Sequence, residues 1–395
     1  MWIALTVSFI GSFVQDVSER WLILDLTKST LPSAMLASAF VTASLIMMLP
    51  AGVLADKRDR RILVTLSQII QAIPAAVVSV LCLTHHVTPA VLLGASTVMG
   101  FGMALGSPAW SALVVDVIPR ELVPEAIALG AVSFNVARAV GPAIGGVVLD
   151  GLGAPSAFAL NAVSFLVVAG AMLANRFPKP AIDPEVHDAG ITGAFKKPFQ
   201  VATGDAGIRS TIVGMLCFTL GASMVYALAP AYGKTTLHAS AREYGILIGA
   251  MGFGAIVGVY LLKPLRRKLA PRNFLAATAL LYAVSAMVLS RMTDVHVATL
   301  VFIPAGIGWT GTFASLSALV QLWTPDRLRA RVIAIYSMSH LGLWAIGATI
   351  GGVVADAISI RAAMFSGACV CLVASLLVAR LPLPSSFTGP IEKSL

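Results

Sequence analysis

The chain has 395 residues, 58% of them hydrophobic and 11% charged, with a net charge of +9 and a mean hydropathy of +0.90. Soluble domains carry roughly 25% charged residues, so a water-soluble globular fold is excluded. Nucleic acid is excluded as the partner of the positive charge, because the basic residues fall in alternate joints between apolar runs instead of on one face.

The runs predict helices over 2–26, 33–55, 62–84, 89–113, 124–149, 155–175, 208–232, 243–263, 273–291, 295–322, 331–355 and 359–380. Each is long enough to cross the ~30 Å hydrocarbon core at ~1.5 Å per residue. The expected fold class is all-α, a polytopic membrane protein with 12 transmembrane helices. The first run is too long for the apolar part of a secretory leader, and no small-residue cleavage site follows it. It also lacks a basic flank at Met1-Trp2-Ile3, as expected if the native start lies upstream.

Of the 27 Lys and Arg residues, twenty fall in joints on one side, five on the other, and Arg20 and Arg138 within the membrane. The positive-inside rule then places both termini in the cytoplasm. A longer joint at 177–207, with Pro178, Pro180, Pro184 and Pro198, divides the chain. The expected organisation is a six-helix bundle at 1–176, a cytoplasmic linker at 177–207, a second bundle at 208–381 and a tail at 382–395. The halves repeat at a constant offset of 206 residues: Ser111-Ala112-Leu113-Val114 recurs as Ser317-Ala318-Leu319-Val320, and the stretch from Gly141 to Asp150 recurs from Gly347 to Asp356. Parallel repeats of this kind place a substrate site near mid-membrane, between the halves.

Three charges lie in the first helix, Asp16, Glu19 and Arg20, beside Gln15. A mid-bilayer charge costs at least ~2.5–3.5 kcal/mol, so its presence points to function. The spacings 16/19 and 16/20 put them on adjoining faces. With Asn135 and Arg138 of the fifth helix they are expected to form a polar cluster facing a cavity. One acid is expected to pair with Arg138, and the other, sheltered from water, is the candidate proton carrier. Trp309, Phe313 and Trp344 are candidate cavity aromatics, with Gly306, Gly308 and Gly311 allowing the tenth helix to bend. Cys82, Cys217, Cys369 and Cys371 lie inside apolar runs and are read as packing residues. No metal site, cofactor motif, nucleotide-binding loop or catalytic constellation is found, so an enzyme is not expected.

The joint Gly52-Val53-Leu54-Ala55-Asp56-Lys57-Arg58-Asp59-Arg60-Arg61 resembles the major facilitator superfamily pattern G-x-x-x-D-[RK]-x-G-[RK]-[RK], with Asp59 where the pattern has Gly. The resemblance implies a cytoplasmic latch of Gly52, Asp56, Arg60 and Arg61. Asp56 would face the positive N-terminus of helix 11, and the arginines would pair with nearby carboxylates. Gly141, Pro142, Gly145 and Gly146 resemble the exporter-associated signature of helix 5, in which Ala128 and Ala137 here replace the first two glycines. The resemblance implies a seal against helix 8, where Gly245, Gly249, Gly254 and Gly258 form two GxxxG steps. Further stretches, Val7 to Gly11, Pro50 to Asp56, Ser107-Pro108-Ala109-Trp110 and Phe134 to Arg138, resemble the transmembrane secretion effector branch that includes enterobactin exporters and macrolide efflux proteins. The superfamily's usual helix-4 arginine is absent, with Ser96 at that place.

The resemblance implies the two-bundle major facilitator fold in a bacterial cytoplasmic (inner) membrane, acting as a monomer. The expected function is a proton-coupled exporter of an amphipathic small molecule, a siderophore or a drug, working by alternating access amid membrane lipid. A lipid flippase or uptake carrier of the same fold, or a non-transporting receptor, is the alternative.

Overall fold

A computed structural model describes residues 2–175, 199–325, 328–384 and 386–387. Most of the expected linker, and of the tail from 385 onward, lies outside these. The described residues form helices and no strand. In chain order they are α1 Trp2–Thr27, α2 Thr30–Lys57, α3 Arg60–Leu83, α4 Pro89–Val117, α5 Val123–Ala174, α6 Ala206–Ala231, α7 Ala241–Leu261, the short α8 Lys263–Lys268, α9 Pro271–Leu289, α10 Val295–Trp323, α11 Arg329–Ala357 and α12 Ile360–Arg380.

Local chemistry sets several of the starts. Thr88, Asp205, Asp294 and Ser359 each cap the following helix with a side-chain oxygen. Asp59, the departure from the joint's pattern, does the same for α3 by accepting the Arg61 N–H at 2.9 Å. The expected fifth and sixth helices run on as one element. Their joint is the single residue Gly153, at φ 77°, a left-handed conformation that costs glycine little and other residues more.

Ten described helices are long and apolar enough to cross a membrane. α1 is not among them, and it is the helix that carries Gln15, Asp16, Glu19 and Arg20. The two arms of α5 count there as one. With α1 added and α5 divided at Gly153, twelve crossings result. The outer faces are apolar at helical spacing: Ile62, Leu66, Ile69, Ile73, Val77 and Val80 make an exposed stripe along α3. Soluble proteins rarely leave such a stripe uncovered, whereas a helix long and apolar enough to cross a membrane carries one on its outer face.

α1 to α5 pack on one another, chiefly α1 on α5, α2 on α4, and α3 on both α4 and α5. α6 to α12 do likewise, with α6 on α11 and α12, α10 on α7 and α9, and α9 on α12. The two groups meet along two seams, α2 with α11 and α5 with α7. The face holding Trp2 and the joint Arg58–Asp59 is here the basic face, and the one holding Lys28–Ser29 and Ile358 the opposite face.

Candidate functional site: a central cavity closed at one face

Between the groups lies a cavity of about 500 Å3, within the size range of small-molecule sites. Its wall runs from Val64 and Ser111, near the basic ends of α3 and α4, to Glu19 and Arg20 deep on α1. Beyond Arg20 the groups touch and the cavity ends. Gly146 lies against the Arg242 and Gly245 Cα atoms, where an added Cβ would come within 3.0 and 3.1 Å. Trp21 packs on Tyr244 with centroids 5.6 Å apart. Lys234 pairs with Asp25 at 2.5 Å and lies over the Trp21 ring. Asp356 accepts hydrogen bonds from the start of α2. The cavity is therefore shut at the opposite face and reaches toward the basic one.

The wall is lopsided. Its charged side chains are Asp16, Glu19 and Arg20, all from α1, while α6 and α11 contribute only Tyr226 and Trp344. Arg20 Nε donates to Asp16 Oδ1 at 2.8 Å. Arg20 is 9% exposed and Glu19 8%, whereas the Asp16 side chain is 38% exposed. Gln15 and Ser96 lie beside Glu19, so the serine at the place of the usual helix-4 arginine faces an acid. Glu19 Oε1 and Arg20 Nη1 are enclosed with no hydrogen-bond partner among the described residues. Unsatisfied buried polar atoms are costly.

Gln15 is held rigidly. Asn161 Nδ2 donates to Gln15 Oε1 at 2.7 Å, Ser164 Oγ donates to Asn161 Oδ1 at 3.0 Å, and Gln15 Nε2 reaches Met99 Sδ at 3.1 Å. The asparagine in the cluster is thus Asn161, from the second arm of α5. Asn135 is exposed and spends its amide on the Ala131 carbonyl at 2.8 Å. Arg138 is half-buried, and among the described residues it has no carboxylate partner; its electrostatic neighbour is the Tyr226 hydroxyl. The expected acid–Arg138 pair does not form among the described residues: Asp16 pairs with Arg20, one turn along the same helix, and Glu19 is enclosed beside Gln15 and Ser96.

The glycines of α5 divide their work. Gly141 and Gly145 let α1 approach, with the Phe13 Cβ and the Val14 Cα nearest, while Gly146 meets α7. The Pro142 carbonyl lies against Gly245. On α7, Gly245, Gly249 and Gly252 face α5, but Gly254 and Gly258 face Ile303 and Ile307 of α10. Only half of the expected α7 glycine ladder therefore serves the seam.

Of the expected aromatics, Trp344 reaches the cavity wall. Trp309 stands behind it, edge-on at 5.3 Å, and stacks on Phe313 at 6.1 Å. α10 is continuous from Val295 to Trp323, and Gly306 and Gly308 lie against the backbones of α7 and α9. Tyr226, 5.7 Å from Trp344, and His340, whose Nδ1 is 2.7 Å from Thr219 Oγ1, were not singled out from the sequence. His340 was findable, as an ionisable residue in the middle of an apolar run; Tyr226 carries no such signal.

At the basic face Arg60 pairs with Asp116 of α4, and Arg61 Nη2 donates to the Leu173 carbonyl near the end of α5 at 2.5 Å. Both arginines tie helices of their own group together. Gly52 has open space around it. The side chain of Asp56 lies outside the described residues.

Two packed groups of helices around a central cavity shut on one face make up the major facilitator fold. The chain belongs to the transmembrane secretion effector family, which matches residues 1–390. It is 22% identical to the multidrug efflux pump Tap of Mycolicibacterium fortuitum over 364 residues, 89% of this chain and 87% of that one. It is 25% identical to the enterobactin exporter EntS of Salmonella typhimurium over 272 residues, 68% and 64% of the two chains. It is 23% identical to the staphyloferrin A transporter of Staphylococcus aureus over 160 residues, 40% of each chain. The chain thus spans less than two thirds of the length of these last two relatives. Among solved structures it resembles a bacterial homologue of the human lysosomal transporter Spinster, inward-facing and occupied, with a TM-score of 0.78 at 14% identity over 95% and 94% of the chains. It also resembles a D-xylose-proton symporter, with a TM-score of 0.72 at 14% identity over 99% of each. At such identities these likenesses establish the fold.

Proposed function

We propose that the chain is a proton-coupled exporter that moves an amphipathic small molecule by alternating access. The observation that carries this reading is the cavity itself: closed at one face, reaching toward the other, with charges from α1 at its deep end and aromatic rings from both groups along its walls. A substrate with an ionised or polar end and a flat apolar body fits that division. The charges would hold the first, and Trp344 and Tyr226 the second.

In this reading the basic face is cytoplasmic, both termini lie inside a bacterial inner membrane, and the structure is the inward-facing state. Residues 1–176 and 208–381 are the two rocking bundles, joined by 177–207, with 382–395 as a cytoplasmic tail. Asp16 and Glu19 are the proton-carrying candidates, with Arg20 as the internal counter-charge. The proton gradient is the energy source, one charge through 100 mV being worth ~2.3 kcal/mol. Asp56 latches the cytoplasmic face when the cavity opens outward. The protein works as a monomer in the lipid bilayer. Efflux relatives support the outward direction.

The likeness to a symporter keeps uptake as the second reading, and one experiment separates them. Metabolite profiling of cells with and without the gene supplies the substrate, and inverted vesicles under an imposed pH difference give its direction. Proton-driven accumulation inside inverted vesicles, lost in Glu19→Gln, is expected. Flux only out of them indicates uptake, and no flux under any gradient ends the transport reading.

A further inference from the structure

The seam between α2 and α11 ends in a contact that the α5–α7 seam does not have. Asp356 is the penultimate residue of α11. Its Oδ1 accepts the Thr30 N–H at 2.8 Å, and its Oδ2 accepts the Ser29 hydroxyl at 2.5 Å and the Leu31 N–H at 3.1 Å. Ser29 is the residue that would ordinarily cap α2, yet its side chain caps nothing in its own helix. The first N–H groups of a helix need partners, and a carboxylate there also meets the positive end of the helix dipole. So α2 is capped in trans, by the other helix group.

α7, which starts on the same face at the other seam, needs no such help. Ser240 and Glu243 form a complete capping box within the chain segment itself. Asp150, which the 206-residue repeat pairs with Asp356, is exposed and makes no hydrogen bond or ion pair among the described residues. Repeat symmetry is thus broken at this point: one seam opens without uncapping a helix, and the other does not. The Lys234–Asp25 pair also crosses the groups at this face, but it joins two side chains and leaves no helix end uncapped when it breaks; Asp356 is exposed as Asp25 is, and differs in reaching backbone N–H groups. Charge-assisted bonds to backbone N–H groups are the stronger kind.

The geometry points to Asp356 as the positioning residue that sets the balance between the two states, a role that rests on the alternating-access reading. Opening the opposite face pulls the carboxylate off α2 and strips its N-terminus of its cap. The antiparallel course of α2 and α11 gives this contact a counterpart. Asp56 is the penultimate residue of α2 as Asp356 is of α11, so the two helices carry an acid at corresponding C-terminal positions. Asp356 holds the opposite face shut.

The test is the distance between spin labels at His86→Cys and Thr293→Cys, exposed joints of the two groups on the opposite face. It uses the full chain, with native cysteines replaced, in lipid nanodiscs. Asp356→Ala is expected to raise the ratio of long to short distances at least about tenfold, from the loss of three hydrogen bonds to a charged acceptor. Asp356→Asn, which keeps one acceptor oxygen, gives a smaller rise and serves if the alanine variant does not fold. Asp150→Ala leaves the ratio within about twofold of the parent. Both Asp356 variants at the parent ratio, or Asp150→Ala shifting it as far as Asp356→Ala does, overturn the assignment while leaving alternating access intact. One unchanging distance in every variant removes both.

Discussion

The side-chain amide of Asn161 donates to Gln15 Oε1 at 2.7 Å, joining the second arm of α5 to the helix that bears the cavity's charges. Asn161 is fully buried, and Gly11 of α1 makes room for it: an added Cβ at Gly11 would lie 2.8 Å from Asn161 Oδ1. The contact fixes the rotation of α1, and with it the directions of Asp16, Glu19 and Arg20.

Asn161→Leu is therefore expected to destabilise the protein by about 1–3 kcal/mol, the cost of leaving the Gln15 acceptor buried and unpaired. Thermal unfolding in detergent measures it. Asn135→Leu, which removes an amide bonded only to its own helix, leaves the unfolding temperature within error. Equal losses for the two would place the cluster elsewhere.

Gly245→Val drives a branched side chain into the Gly146 backbone, since even a bare Cβ would come within 2.9 Å of the Gly146 Cα. The seam cannot close around it. Water-soluble thiol reagents applied from the opposite face should then reach a cysteine placed at Ala37, on the cavity wall, at a rate at least about tenfold above the parent. Gly258→Val, directed at α10 instead, should not raise that rate.

Arg60 and Asp116 are about four-fifths buried as side chains, so their pair is worth more than an exposed one, about 1 kcal/mol. A double-mutant cycle of Arg60→Ala and Asp116→Ala on unfolding free energy reads the coupling. It is expected to be positive and of that size, because the pair ties α3 to α4. A coupling near zero with intact folding would assign Arg60 to membrane topology alone.

Trp344→Ala removes the main aromatic surface from the far wall, and Trp309→Ala removes the ring supporting it. The first should weaken binding of a flat aromatic amphiphile by tenfold or more, given about 0.5–1.5 kcal/mol for the ring contact beyond its buried area. The second should weaken it less and lower stability more. Fluorescence quenching by ethidium titrated into purified protein gives the first quantity, and thermal unfolding the second.

Much of this architecture is legible in the residues alone. The length of the apolar runs, the alternation of basic joints and the 206-residue repeat identify the helices and their pairing into two related sets. Asp59 shows how a departure from a family pattern carries local meaning: it replaces a glycine and becomes the cap of α3. The cluster was legible in part. Asp16, Glu19 and Arg20 announce themselves by being charged within a membrane span. Their partners do not, because a helix sequence gives spacing along one axis and leaves rotation about it to packing. Asn135 and Asn161 both look like polar residues in apolar runs. Only the approach of α1 through Gly11, Gly141 and Gly145 decides which of them meets Gln15. In the same way, Gly245 and Gly254 read alike in α7, yet they face different helices.

The sequence by itself determined that this chain lives in a membrane and which helix bears the charges. Each of these follows from the cost of placing polar groups in lipid, and that cost is paid residue by residue. The tertiary structure alone decided which acid pairs with which base, which glycine serves which seam, and that Asp356 caps a helix of the other half. Those outcomes depend on contacts between residues up to 327 positions apart, and the geometry of such contacts is fixed only when the helices have packed.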